Sequence, residues 1–327
     1  MSNNMENDLI WNNEDSFKTA IVTSFAEYLE VLKLIKKNSN ELWFRGQSNA
    51  SYRLIPSALR DAFEIENQYG ELLEPQTVSY NTKGSTVAYI NVEHMINEFK
   101  ELTKKHFRIK PNNDLEWYFL AQHYGIPTTL LDWTTDPLVA LFFATTNNDS
   151  KNTSVEEAIN DFKNNHFSEL GASIFVIDPG LLNKKLSPFY KGGNLNDSID
   201  FPLDINESYS IIKGYLGRND KYFSPSCIKG TPIDKRICRQ SGNFTIHGFN
   251  VWPIDFYANI QKEIYKIFIP YSCIKEIKDL LYVLDVTKES IYGSNEIDLI
   301  SNGISEEHID EFRKSIKKLK EKYVIET

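Results

Sequence analysis

Between Gln122 and Pro137 the chain reads QHYGIPTTLLDWTTDP, and those residues leave the backbone little choice. Gly125 and Pro127 stop a preceding helix, because glycine accepts the left-handed turn that ends helices and proline cannot continue one. Thr128 to Trp133 then reads as a short strand. Asp136 suits an N-cap, and Pro137 suits the first position of a new helix running to Ala144. A strand that feeds straight into a helix gathers unpaired N–H groups and the positive end of the helix dipole, which favours an anion. His123, Tyr124, Asp132, Trp133 and Thr134 stand around that spot and are candidate site residues.

A second stretch, Leu42-Trp43-Phe44-Arg45-Gly46-Gln47-Ser48, leads apolar residues up a strand to one arginine and a glycine. The guanidinium fork matches phosphate or carboxylate, and glycine admits a close backbone or ligand. The plainer reading is a strand-end arginine in a salt bridge beside a turn. Gln47 reads either as a ligand contact or as an exposed turn residue.

The chain has 327 residues, enough for one large or two modest domains. Its 36 Lys plus Arg against 45 Asp plus Glu give a formal charge of −9, which argues against broad nucleic-acid binding. No apolar run reaches the length of a membrane span, and the first residues are polar and acidic rather than signal-like. Cys227, Cys238 and Cys273 are widely spaced and odd in number, as in a reduced, cytoplasmic protein. No histidine or cysteine pair has metal-ligand spacing, so no metal is expected. A P-loop, a dinucleotide fingerprint and a Gly-x-Ser-x-Gly elbow are also absent from the sequence.

Ser24 and Glu27 mark a capping box before an amphipathic helix. Further helices are expected over 92–107, from a cap at Asp114 to Tyr124, over 155–162 and over 306–322. Strands are expected at 42–45, 173–177, 244–246 and 265–269. Residues 1–20 read as a disordered terminus, 64–84 as a loop or insertion, and 147–153 as a polar loop. Residues 180–235 read as an irregular insertion within a domain spanning 21–300, and 301–327 as a C-terminal helix packed on it. The element order implies an α+β fold: one mixed domain, with a central, mainly antiparallel split sheet and peripheral helices.

The two motif stretches together resemble the FRG domain, a family named for its Phe-Arg-Gly tripeptide, here Phe44-Arg45-Gly46. The block from Gln122 through Ala144 is similar to that family's longest signature, and Gln240-Ser241-Gly242-Asn243-Phe244 to its Gln-x-Gly-x-Phe strand. Thr129 stands where many members carry arginine, so this chain lacks any contact that arginine makes.

The order of elements also resembles, more distantly, the toxin-like ADP-ribosyltransferases. That resemblance implies NAD as co-substrate, Arg45 on its pyrophosphate or ribose, and the Gly46 backbone at the nicotinamide amide. Trp133 or Tyr124 would stack on the ring. It also implies a carboxylate beside an oxocarbenium-like ribose, with Glu263 the candidate and Gln240 the alternative occupant of that place. His123 reads as a capping residue or as an acid–base group, Trp133 as a core aromatic or a platform, and Asp132 as an orienting or a catalytic carboxylate. The implied function is an NAD-consuming effector or toxin with an unassigned macromolecular acceptor. The Asn-, Lys- and Ile-rich composition suggests an AT-rich bacterial genome, and the family setting suggests phage defence. The alternative is a non-catalytic module that senses a small nucleotide or phosphate ligand.

Overall fold

The computed structural model describes residues 10–12, 16–37, 39, 41–60, 65–66, 72–73, 92–146, 153–186, 199–217, 222–248 and 252–323. Its strands are β1 Trp11–Asn12, β2 Lys18–Ile21, β3 Trp43–Gln47, β4 Ile65–Glu66, β5 Leu72–Leu73, β6 Leu130–Thr134, β7 Gly171–Ile177, β8 Ser226–Ile228, β9 Gly242–Ile246 and β10 Tyr265–Pro270. Eight of them form one open sheet in the order β1-β2-β10-β7-β3-β6-β9-β8, and β4 pairs with β5 apart from it. β10 runs parallel to β2, and the other pairs in the sheet are antiparallel. The α+β class follows directly.

The seam between β3 and β6 positions the site. β6 matches β9 over the five residues Leu130–Thr134 and β3 matches β7 over Trp43–Gln47, yet β3 meets β6 through the one pair Phe44–Thr134. Past that pair the strands part, and the Arg45 side chain bonds the Asp132 carbonyl at 2.8 Å across the opening.

The helices that build the walls are α1 Phe25–Lys36, α2 Val92–Thr103, α3 Asp114–His123, α4 Pro137–Thr145, α5 Val155–Asn164, α6 Pro179–Leu186, α7 Tyr209–Leu216, α8 Lys235–Arg239, α9 Ile274–Val283, α10 Lys288–Tyr292, α11 Asn295–Ser301 and α12 Ile309–Tyr323. Strand alternation sends Phe44, Ile174 and Ile267 to one face, where α1, α4 and α9 cover them with Tyr28, Leu141 and Ile277. On the same face of the other half-sheet, Leu130, Phe244 and Ile246 pack under α2, α3, α7 and α12 through Phe99, Phe119, Ile212 and Phe312. Trp43, Trp133 and Phe175 occupy the opposite face with Leu182 and Leu186 of α6. Two helix groups therefore flank the line where β3 and β6 part.

Several expectations are corrected. β1 and β2 lie in the sheet, within or beside the stretch assigned to a disordered terminus. The described part of 180–235 is not irregular: it holds most of α6, α7, β8 and the start of α8, short elements that no clean period could reveal. Asn113 rather than Asp114 caps α3, its Oδ1 accepting from the Glu116 N–H at 3.0 Å. Ser24 does cap α1, but Glu27 accepts from the Thr23 N–H at 2.7 Å instead of closing a box on Ser24. The loops assigned to 64–84 and 147–153 lie largely outside the described residues.

Candidate active site at the parting strands

α3 ends as its sequence predicts. Gly125 takes φ +77°, its N–H bonds the Gln122 carbonyl at 2.9 Å, and the Ile126 N–H bonds the Ala121 carbonyl at 2.9 Å. This Schellman closure leaves His123 as the last helical residue and Tyr124 as the cap. The His123 Nδ1 contacts the Asp234 carboxylate, which is fully buried and also caps α8 by accepting from the Arg236 N–H at 2.6 Å. Arg236 returns a bond to the His123 carbonyl at 3.2 Å and lies 4.7 Å from the centre of the Tyr292 ring. Tyr124 stacks on His123 with centroids 4.6 Å apart, and its hydroxyl accepts from Asn302 at 3.3 Å.

Burial, and after it the Arg236 charge, push the His123 imidazolium down to about 3, so the ring is neutral at physiological pH. Nδ1–H then donates to Asp234 and Nε2 carries the lone pair, the tautomer a general base requires. Burial pushes the Tyr124 hydroxyl up to about 12, leaving it a neutral hydrogen-bonding group.

Arg45 and Asp132 meet at the parting. The Arg45 Nη1 sits 2.8 Å from the Asp132 carbonyl and 3.9 Å from its carboxylate. Burial lowers the Arg45 guanidinium to about 10, partly offset by Asp132, so it stays charged. Its Nε is buried without a hydrogen-bond partner. The exposed Asp132 carboxylate also accepts from Gln122 at 2.6 Å, and Thr128 orients that amide from its other end.

A small cavity of about 80 Å³ opens here between Gln122, His123, Asp132, Arg236 and Gln240. Beyond the shared residues His123 and Arg236 lies a larger cleft of about 650 Å³, walled by Tyr124, Tyr292 and α12. Arg236, Arg313, Lys317 and Lys320 line it, against one lining carboxylate among the described residues, Asp298, that Arg239 holds at 2.6 Å; Asp310 stands 3.8 Å from Arg313 and Glu321 3.7 Å from Lys317 at its rim. A cationic cleft on a chain of net charge −9 is a local field of the opposite sign.

The remaining candidates carry structural contacts of their own. Trp133 is 2 % exposed and donates to Thr245 at 3.2 Å, so it packs in the core, where it also borders the small cavity. Thr134 is spent on structure, donating to the Gln240 carbonyl at 2.6 Å and accepting from the Asp136 N–H at 2.9 Å. Gln47 is a buried strand residue that donates to the Arg53 carbonyl at 3.2 Å, not an exposed turn residue. A Cβ on Gly46 would overlap the Ala140 carbonyl oxygen, so α4 backbone packs directly against the side-chain face of this glycine.

The N-terminus of α4 is likewise taken: the Asp136 carboxylate accepts from Leu138 at 2.8 Å and occupies the spot expected to favour an anion. Gln240 is the cap of α8, not a strand residue, because the chain turns through Ser241 at φ +46° before β9 begins. Glu263 precedes β10 and is held by Lys18 at 3.4 Å and Lys185 at 3.2 Å. The register Phe44–Val176–Tyr265 puts two strand spacings, about 10 Å, between β3 and β10. Glu263 therefore does not face Arg45.

The sequence reading missed Asp234, Arg236 and the basic side of α12. Asp234 carried a signal as an N-cap ahead of Lys235-Arg236. The cations of α12 join the site only because the fold sets them in one cleft with His123.

The site straddles the boundary of a recognised unit. The model of the FRG domain family matches residues 40–153, the stretch from β3 through α4. The chain carries an FRG domain. Arg45, Gly46, His123 and Asp132 lie inside the matched region, whereas Asp234, Arg236 and α12 lie outside it. The FRG domain thus contributes the histidine and the parted strands, and the rest of the chain contributes the buried carboxylate and the cations. Neither a search of curated proteins nor one of solved structures gives a match.

Proposed function

We propose that this FRG-domain protein binds a phosphorylated nucleotide of the NAD class in the cleft between α3, α8, α10 and α12. The observation that carries the reading is the set of four cations, Arg236, Arg313, Lys317 and Lys320, lining one cleft with His123 at its inner end. Its volume of about 650 Å³ suits a nucleotide-sized ligand. Phosphate oxygens meet the cations, and the partly buried rings of Tyr124 and Tyr292, which line the cleft, border the place of a base. The absence of Glu263 from this site favours a binding or sensing role over transfer chemistry.

A second reading, an NAD-consuming ADP-ribosyltransferase-like effector, has its own support in the parted strands. There Arg45 and the Asp132 carboxylate stand 3.9 Å apart, and Asp132 lines the small cavity. In that case Asp132, not Glu263, is the carboxylate that faces a developing ribose cation, and His123 with Asp234 is the base that takes the acceptor's proton. A role as a toxin or in phage defence belongs to this second reading.

Calorimetric titration with NAD, with free nicotinamide followed by chromatography in the same sample, separates the two. Binding without release supports the sensor. Binding with release that Asp132→Asn abolishes supports the enzyme. No binding overturns both.

A further inference from the structure

We propose that His106, His308 and Glu311 form a binding site for a divalent cation of the zinc class, distinct from the nucleotide cleft and separated from it by the Phe312 ring. His106 follows the end of α2, His308 closes the 3₁₀ turn Glu306–His308, and Glu311 lies in the first turn of α12. One ligand atom from each falls within 4.8 Å of the others.

The side chain that argues for a ligand is His106. It is fully buried, and neither ring nitrogen has a hydrogen-bond partner. A buried imidazole without partners is costly unless something bonds it, and rings of Phe312 and His308 surround it instead. Its Nδ1 points toward the Glu311 Oε2 at 4.0 Å, too long for a hydrogen bond. Donors around one zinc at about 2.1 Å stand roughly 3.4 Å apart, so small rotations of the more exposed His308 and Glu311 close the set.

The supporting contacts suit that role. Ser305 Oγ lies 2.6 Å from the His308 Nδ1, which fixes the ring and leaves Nε2 to ligate. Lys105 holds the other Glu311 oxygen, Oε1, and so directs Oε2 inward. Two histidines and one carboxylate leave a fourth position for water, a donor set that zinc accepts. The backbone already ties the two segments, since the Ser305 N–H bonds the His106 carbonyl at 3.1 Å and Phe107 bridges to Ile304. A cation here would pin α2 to the start of α12, the helix that carries Arg313, Lys317 and Lys320. Sequence spacing offers only the pair His308 and Glu311, three residues apart, because His106 comes from a distant part of the chain.

The test is titration of chelator-treated full-length protein with zinc chloride, followed by calorimetry and by thermal unfolding. The expected result is one zinc per chain and a raised Tm. His308→Ala and Glu311→Gln, both at accessible positions that leave the core intact, should each weaken binding by roughly tenfold or more. Absence of zinc uptake by the wild-type protein would overturn the site, and so would uptake that both variants leave unchanged.

Discussion

At Gly46 the space for a side chain is already backbone. α4 presses on β3 so closely that a Cβ there would overlap the Ala140 oxygen and stand 2.7 Å from the Ala144 nitrogen. Gly46→Ala should therefore destabilise the fold by about 3 kcal/mol or more, read by chemical denaturation. A neutral result would mean that the helix yields easily. The neighbouring Arg45 does different work, bridging the parted strands with its charge retained. His123 sets a pH dependence. Its folded pKa, about 3, lies below the ordinary 6.5, so between those values the unfolded chain holds a proton that the folded chain does not. Stability should accordingly fall as pH drops from about 6.5 toward 3. His123→Gln keeps a donor for Asp234 and should flatten that acid limb in a series of Tm measurements; an unchanged slope would place the proton elsewhere.

Among the elements, α4 separates structural from functional electrostatics. Its N-terminus is capped by Asp136, so Asp136→Ala should cost about 1 kcal/mol of stability and leave nucleotide affinity unchanged. A loss of affinity at constant fold would return that helix end to the site. The stop at Gly125, the cap at Asp136 and the strand between them are legible in the sequence because each depends on local backbone chemistry. The parting of β3 from β6 is not, since it depends on how strands distant in sequence register. Short elements such as β8 and α8 give no period to read, and Gln240 reads as a strand residue because the positive φ of the turn falls on Ser241 and not on the glycine that follows it. Glu263 matches a motif by spacing alone, and the sheet order carries it to the lysines of a different edge.

Over the whole molecule, an acidic chain concentrates positive charge in one cleft, and that contrast is the centre of the functional account. No helix among the described residues is long and apolar enough to cross a membrane. The cleft draws one wall from the FRG domain and the other from the C-terminal helix, so ligand binding should join two distant parts of the chain and raise its Tm. Affinity should also fall with added salt, as it does for charge-steered contacts. The most direct test is calorimetric titration with NAD of the wild-type protein beside a Lys317→Glu, Lys320→Glu variant. The account predicts measurable wild-type binding and a loss of about a hundredfold in the variant, because two charge-assisted phosphate contacts disappear. Equal binding by both proteins, or none by either, would contradict it.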